Sequence, residues 1–174
     1  MRTLLITTAA AALLAAPAMA QDSGVRWSGS VGYSNLSADD GDLGAVTGRL
    51  GARFTPNFGI EGEASIGVND EEFPIAAGGS GTLELDYDAA VYAVGYLPVS
   101  PNFEVFGRVG YGTTEIKAEA AGVTVDAGDE SFNYGVGAQY LFDGVNGVRG
   151  DWTRRDFQDG GEADVWSLSY VRKF

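Results

Sequence analysis

Apolar and polar residues alternate with a period of two along most of the chain, and the clearest example runs from Val46 to Val68. One parity reads Val46, Gly48, Leu50, Ala52 and Phe54, then Phe58, Ile60, Gly62, Ala64, Ile66 and Val68. The other holds Thr47, Arg49, Gly51 and Arg53, then Gly59, Glu61, Glu63, Ser65 and Gly67. Between them, Thr55-Pro56-Asn57 reads as a tight turn, since proline presets φ and asparagine accommodates the reversal. The pattern predicts a β-hairpin with one apolar and one polar face. Folding about the turn sets Arg49 opposite Glu63 and Arg53 diagonal to Glu61. Complementary charges at mid-strand suit a face that looks into a closed interior, with the apolar face turned outward.

The same alternation recurs on both sides of this hairpin. Before it, Val25, Trp27, Gly29, Val31 and Tyr33 oppose Arg26, Ser28, Ser30, Gly32 and Ser34. After it, Leu83, Leu85, Tyr87, Ala89, Val91, Ala93, Gly95 and Leu97 oppose Glu84, Asp86, Asp88, Ala90, Tyr92, Val94 and Tyr96. A fifth segment sets Phe103, Val105, Gly107, Val109 and Tyr111 against Glu104, Phe106, Arg108, Gly110 and Gly112. A sixth sets Phe132, Tyr134, Val136, Ala138, Tyr140 and Phe142 against Ser131, Asn133, Gly135, Gly137 and Gln139. The seventh opposes Val148, Gly150 and Trp152 to Arg149, Asp151, Thr153 and Arg155, and the eighth carries Trp166, Leu168, Tyr170 and Phe174 on one parity.

The connections sort by length. Acidic, glycine-rich segments follow strands one, three, five and seven: Ser37 to Asp42, Asn69 to Gly81, about Lys117 to Gly128, and Asp156 to Ala163. Short turns follow strands two, four and six. An even number of strands, each near the roughly 9–11 tilted residues that cross a bilayer, with short turns at one end and long loops at the other, is the pattern of an outer-membrane barrel. The expected fold is all-β, an eight-stranded antiparallel up-and-down transmembrane β-barrel, with both termini periplasmic.

The first residues read as a secretory leader: Arg2 gives a positive start, Leu4 to Leu14 a short apolar run, and Ala18-Met19-Ala20 a small-x-small cleavage site. Residues 1–20 are then a signal peptide cut after Ala20, and residues 21–174 the barrel domain. The formal charge of −13 becomes −14 when Arg2 leaves with the leader, one positive charge fewer. Nucleic acid is excluded as a partner by that charge. The 26 glycines are set in a chain that is 45% apolar and 11% aromatic, a folded composition rather than a disordered one. With neither cysteine nor histidine, the chain has no disulfide, no thiolate nucleophile and no imidazole base or ligand. No cofactor and no catalytic group is expected.

The charged residues on the inward parity are Arg49, Arg53, Glu61, Glu63, Glu84, Asp86, Asp88, Glu104, Arg108, Arg149, Asp151 and Arg155. They read either as an ion path or as a network that fills the lumen. Eight strands leave an interior wide enough only for side chains, and both signs are present for pairing, so the plug is favoured over an ion path and at most weak pore activity is expected. Glu84, Asp86 and Asp88 could hold a divalent cation only with help from a neighbouring strand, because alternate residues on a strand stand about 6.5–7 Å apart. No metal site is expected. Inward glycines such as Gly110, Gly112, Gly135 and Gly137 make room for Tyr92, Tyr96 and Phe106. Trp27, Tyr33, Phe54, Phe58, Phe103, Tyr111, Tyr140, Phe142, Trp152, Trp166, Tyr170 and Phe174 are placed for interfacial girdles.

Together these features resemble the small eight-stranded outer-membrane β-barrels of the porin family, the OmpA-like transmembrane domains and opacity-type surface proteins. The resemblance covers Gln21 to Phe174. It implies that Trp166, Leu168, Tyr170 and Phe174 form the terminal signal read by the barrel-assembly machinery, with Arg172 in a slot where such proteins usually carry an apolar residue. It also implies a monomer surrounded by outer-membrane lipid and lipopolysaccharide in the Gram-negative cell envelope, and an extracellular partner of unknown kind at the loops. Two alternatives stand beside it: a soluble periplasmic lipocalin-like carrier, whose apolar parity would face inward, and an outer-membrane enzyme acting on lipid, which the lack of histidine disfavours.

Overall fold

The structure is a computed structural model describing residues 24–38, 41–68, 70–75, 79–120, 123–158 and 160–174, of which 38, 41, 70–75, 79–86, 116–120 and 123–127 are described by backbone alone. The leader and its cleavage residues Ala18 and Ala20 lie outside these. Every element among the described residues is a strand: β1 (Arg26–Ala38), β2 (Gly41–Thr55), β3 (Phe58–Gly67), β4 (Asp70–Ile75), β5 (Gly79–Pro98), β6 (Phe103–Ala120), β7 (Val123–Leu141), β8 (Asn146–Phe157) and β9 (Glu162–Lys173). All pairings are antiparallel, in the order β3-β2-β1-β9-β8-β7-β6-β5-β4, and β3 also pairs with β5 to close the ring. β3 and β4 pair with successive lengths of β5, residues 87–95 and 79–84, so the nine strands form eight staves of one closed barrel.

Alternation decides which face each side chain takes. On β3 the pattern is strict, with Glu61, Glu63 and Ser65 buried and Phe58, Ile60 and Ile66 exposed. Leu50, Val91, Val109, Val136 and Leu168 are likewise exposed on the outer face. The apolar parity therefore faces out and the charged parity in, which inverts a lipocalin-like carrier. Around β6 to β9 the outer aromatics touch in sequence: Tyr111 with Phe132, Phe132 with Tyr134, Tyr134 with Trp152, and Trp152 with Trp166.

The start of β1, the end of β9 and the short turns share one end. At the Pro56-Asn57 turn, Thr55 pairs with Phe58. Between β7 and β8, the Asp143 carboxylate accepts the backbone N–H groups of Val145 and Asn146, and Gly144 takes φ of 81°, where a side chain would be strained. Hydrogen bonding from Asn146, then from the Val145 amide, lowers the Asp143 carboxyl to about 2.

At the other end the structure corrects the loop reading. Most of the two longest acidic segments, Asn69 to Gly81 and Lys117 to Gly128, is strand: β4 pairs with the start of β5, and β6 with β7 as far as Ala120 opposite Val123. Once a ladder is established, each further pair satisfies backbone groups without new loop closure, so acidic and glycine-rich residues continue it. The ladder at Glu84 and Asp86 is irregular. The β5–β6 register slips between Leu85 and Tyr87, so the alternation does not carry unbroken from Asp88 back to them. Their side chains are outside those described.

Candidate functional site

The only described region dense in convergent polar chemistry is the lumen, and strand register assembles it. β2 places Arg49 directly across from Glu63 of β3. Arg49 Nε donates to Glu63 Oε2 at 2.6 Å, and its Nη2 reaches Asp151 at 3.3 Å and Ser167 at 3.0 Å. From β6, Arg108 donates to Glu63 and to Asp151, each at 2.8 Å, and to Thr153. Arg149, on β8, forms a bidentate pair with Glu61, and Arg155 a bidentate pair with Asp88 and a 3.2 Å bond to Glu63. Glu63 thus accepts from three guanidinium groups. The four arginines and the carboxylates of Glu61, Glu63, Asp88 and Asp151 balance in charge, and their side chains are at most 3% exposed.

Aromatic rings on β5 and β6 give the guanidinium planes a wall. Arg108 lies over Tyr92 at 4.4 Å, Arg149 over Phe106 at 4.0 Å, and Arg53 over Tyr96 at 4.0 Å. The inward glycines make this packing possible. A Cβ on Gly137 would strike Phe106 and Asp151, and one on Gly110 would strike the Val91 carbonyl and the Tyr92 ring.

Two further layers flank the charges. Toward the short-turn end, Glu104 accepts from Arg53, Lys173 and Gln139. Arg53 therefore does not pair with the diagonal Glu61, which Arg149 and Arg108 occupy; it leans to Glu104 and to the Pro56 carbonyl. Toward the hairpin end, hydroxyl groups link β3, β2, β1 and β9: Ser65 to Thr47, Thr47 to Ser34, and Ser34 to Ser167. Beyond them lies an apolar cluster of Leu36, Leu43, Ala45, Ala163 and Val165, with Phe157 packed against it.

All the inward charges named from the sequence whose side chains are described meet in the lumen; Glu84 and Asp86 lie outside the described side chains. Asp88 is occupied by Arg155 and Thr114. Sequence reasoning missed Lys173 and Gln139 as partners of Glu104. It missed the apolar cluster too, although the parity of Ser34 extends to Leu36 and that of Ser167 to Val165. Trp166, Leu168 and Tyr170 lie on the outer face of β9, and Arg172 sits 5.7 Å from the ring of Phe174.

Solved structures share this architecture. Ail, the attachment invasion locus protein of Yersinia pestis, in complex with the heparin analogue sucrose octasulfate, is 18% identical with a TM-score of 0.63, over 87% of this chain and 100% of that one. The N-terminal β-barrel domain of Pseudomonas aeruginosa OprF is 15% identical with a TM-score of 0.59, over 84% and 97%. Neisserial surface protein A is 10% identical with a TM-score of 0.56, over 87% and 98%. At these identities the likeness is one of fold. Among curated proteins there is no sequence match. Residues 6–174 match the outer membrane protein β-barrel domain, and the chain belongs to that family.

Proposed function

We propose that this protein is a closed barrel of the Gram-negative outer membrane with a structural or surface-interaction role, neither an enzyme nor an open pore. The observation that carries this reading is the lumen, in which Arg49, Arg108, Arg149 and Arg155 are locked onto the buried carboxylates of Glu61, Glu63, Asp88 and Asp151, leaving none of these eight charges free for a permeating ion. An interior of eight strands has little room beyond its own side chains. Short turns on the side of the termini and long hairpins on the other support periplasmic termini and extracellular hairpins after removal of residues 1–20. The absence of histidine supports a non-enzymatic role over lipid modification.

The hairpin sequences suggest what would meet them. Asp39, Asp40, Asp42, Asp70, Glu71 and Glu72 make that end acidic, so a polyanion such as the sucrose octasulfate bound by Ail is disfavoured, and a basic or uncharged partner fits better. Lipid and lipopolysaccharide surround the apolar band, and the barrel-assembly machinery reads the end of β9.

The test has two stages. Membranes from a Gram-negative host expressing the whole chain should carry the protein in the outer-membrane fraction, with gel mobility that changes on boiling. Purified barrel in a planar bilayer should then show no channel above the lipid baseline. A soluble periplasmic product, or a stable open conductance, would overturn the reading.

A further inference from the structure

Inward-facing apolar residues are out of place in a lumen that is otherwise polar. By register, Leu36 of β1 pairs with Val165 of β9 on one side and with Leu43 of β2 on the other, a continuous apolar row across three staves. Ala45 and Ala163 adjoin that row, Phe157 of β8 packs on it, and its members are at most 7% exposed. The Ser34–Thr47–Ser65 hydroxyl chain separates the row from the charge layer. Tyr92, Val94, Tyr96 and Phe106 form a separate cluster beside the charges.

We infer that this apolar row is a second seal, in series with the charge layer and closer to the hairpin end. Resting on the closed-lumen reading, the inference assigns the two layers different barriers. The charge layer blocks by filling the lumen with guanidinium and carboxylate groups. The apolar row blocks by excluding water, since a narrow hydrophobic constriction dewets and an ion cannot cross it without its hydration shell. Opening the charges alone therefore leaves the barrel shut.

The experiment compares four proteins in planar bilayers: wild type, a charge-layer variant (Glu61→Ser with Arg149→Ser, removing a bidentate pair together), a row variant (Leu43→Ser with Val165→Ser), and the combination. Boiled and unboiled gel mobility verifies that each is folded. Should the combination fail to fold, Leu36→Ser replaces the two row substitutions. The expected result is wild-type conductance for each separate variant and at least about a tenfold rise for the combination over the charge-layer variant. A charge-layer variant that conducts as well as the combination would overturn the second seal. Conductance in wild type would instead overturn the closed lumen itself, so the two failures are distinguishable.

Discussion

Two ion clusters occupy the same lumen and differ in what surrounds them. In the middle, Arg108 meets Glu63, Asp151 and Glu61 with no exposed side-chain area, and its ring neighbour Tyr92 is as deeply buried. Near the short-turn mouth, Glu104 meets Arg53 and Lys173, but the Lys173 side chain is 27% exposed. The chemistry is the same and the consequence is not. A charge in the middle cannot fall back on water, so losing one partner strands the other; a charge at the mouth can be rehydrated. Burial, rather than the number of ion pairs, decides which cluster holds the barrel together.

Substitutions should separate them in order of size. Arg108→Met leaves three carboxylates short of a donor and should destabilise the barrel by about 3–5 kcal/mol, read by urea unfolding in lipid vesicles. On the outer face the environment is lipid, and Leu50→Arg should cost about 2–4 kcal/mol in the same titration; a neutral result would mean that this face is not in the bilayer. Lys173→Met, at the mouth, should cost no more than about 1 kcal/mol, and an effect equal to that of Arg108→Met would erase the distinction between the clusters. The smallest effect lies outside the lumen. Because the folded Asp143 carboxyl is lowered from 3.8 to about 2, its contribution is complete above the unfolded value and is lost as pH falls from about 4 toward 2. Asp143→Asn should remove that part of the acid sensitivity, measured as the unfolding midpoint against pH.

What could be read in advance follows the reach of local geometry. The period of two separates the faces, and a tight turn at Pro56-Asn57 sets Arg49 across from Glu63, so that pair follows from counting along one hairpin. The partners of Arg108 do not, because Glu63 on β3 and Asp151 on β8 come within its reach only when the sheet closes between β3 and β5. The same counting sets Arg53 diagonal to Glu61, yet the fork turns the other way, toward a glutamate contributed by β6. Glu84 and Asp86 read as inward only by carrying the alternation of Asp88 across the register slip after Leu85, and their side chains lie outside those described. The apolar row is hard to read in advance because Leu36 and Leu43 flank the acidic Ser37 to Asp42 segment and meet only through the β1–β2 pairing.

The central claim is that the buried charges hold one another, and a double-mutant cycle on Glu63 and Arg108 tests it most directly. Each single change, Glu63→Gln or Arg108→Met, should be strongly destabilising in vesicle unfolding. The double variant should cost less than the two together by about 2 kcal/mol or more, because each substitution removes the group that the other would strand. Additive costs would show two charges that fold independently, and the interlocked lumen would be wrong.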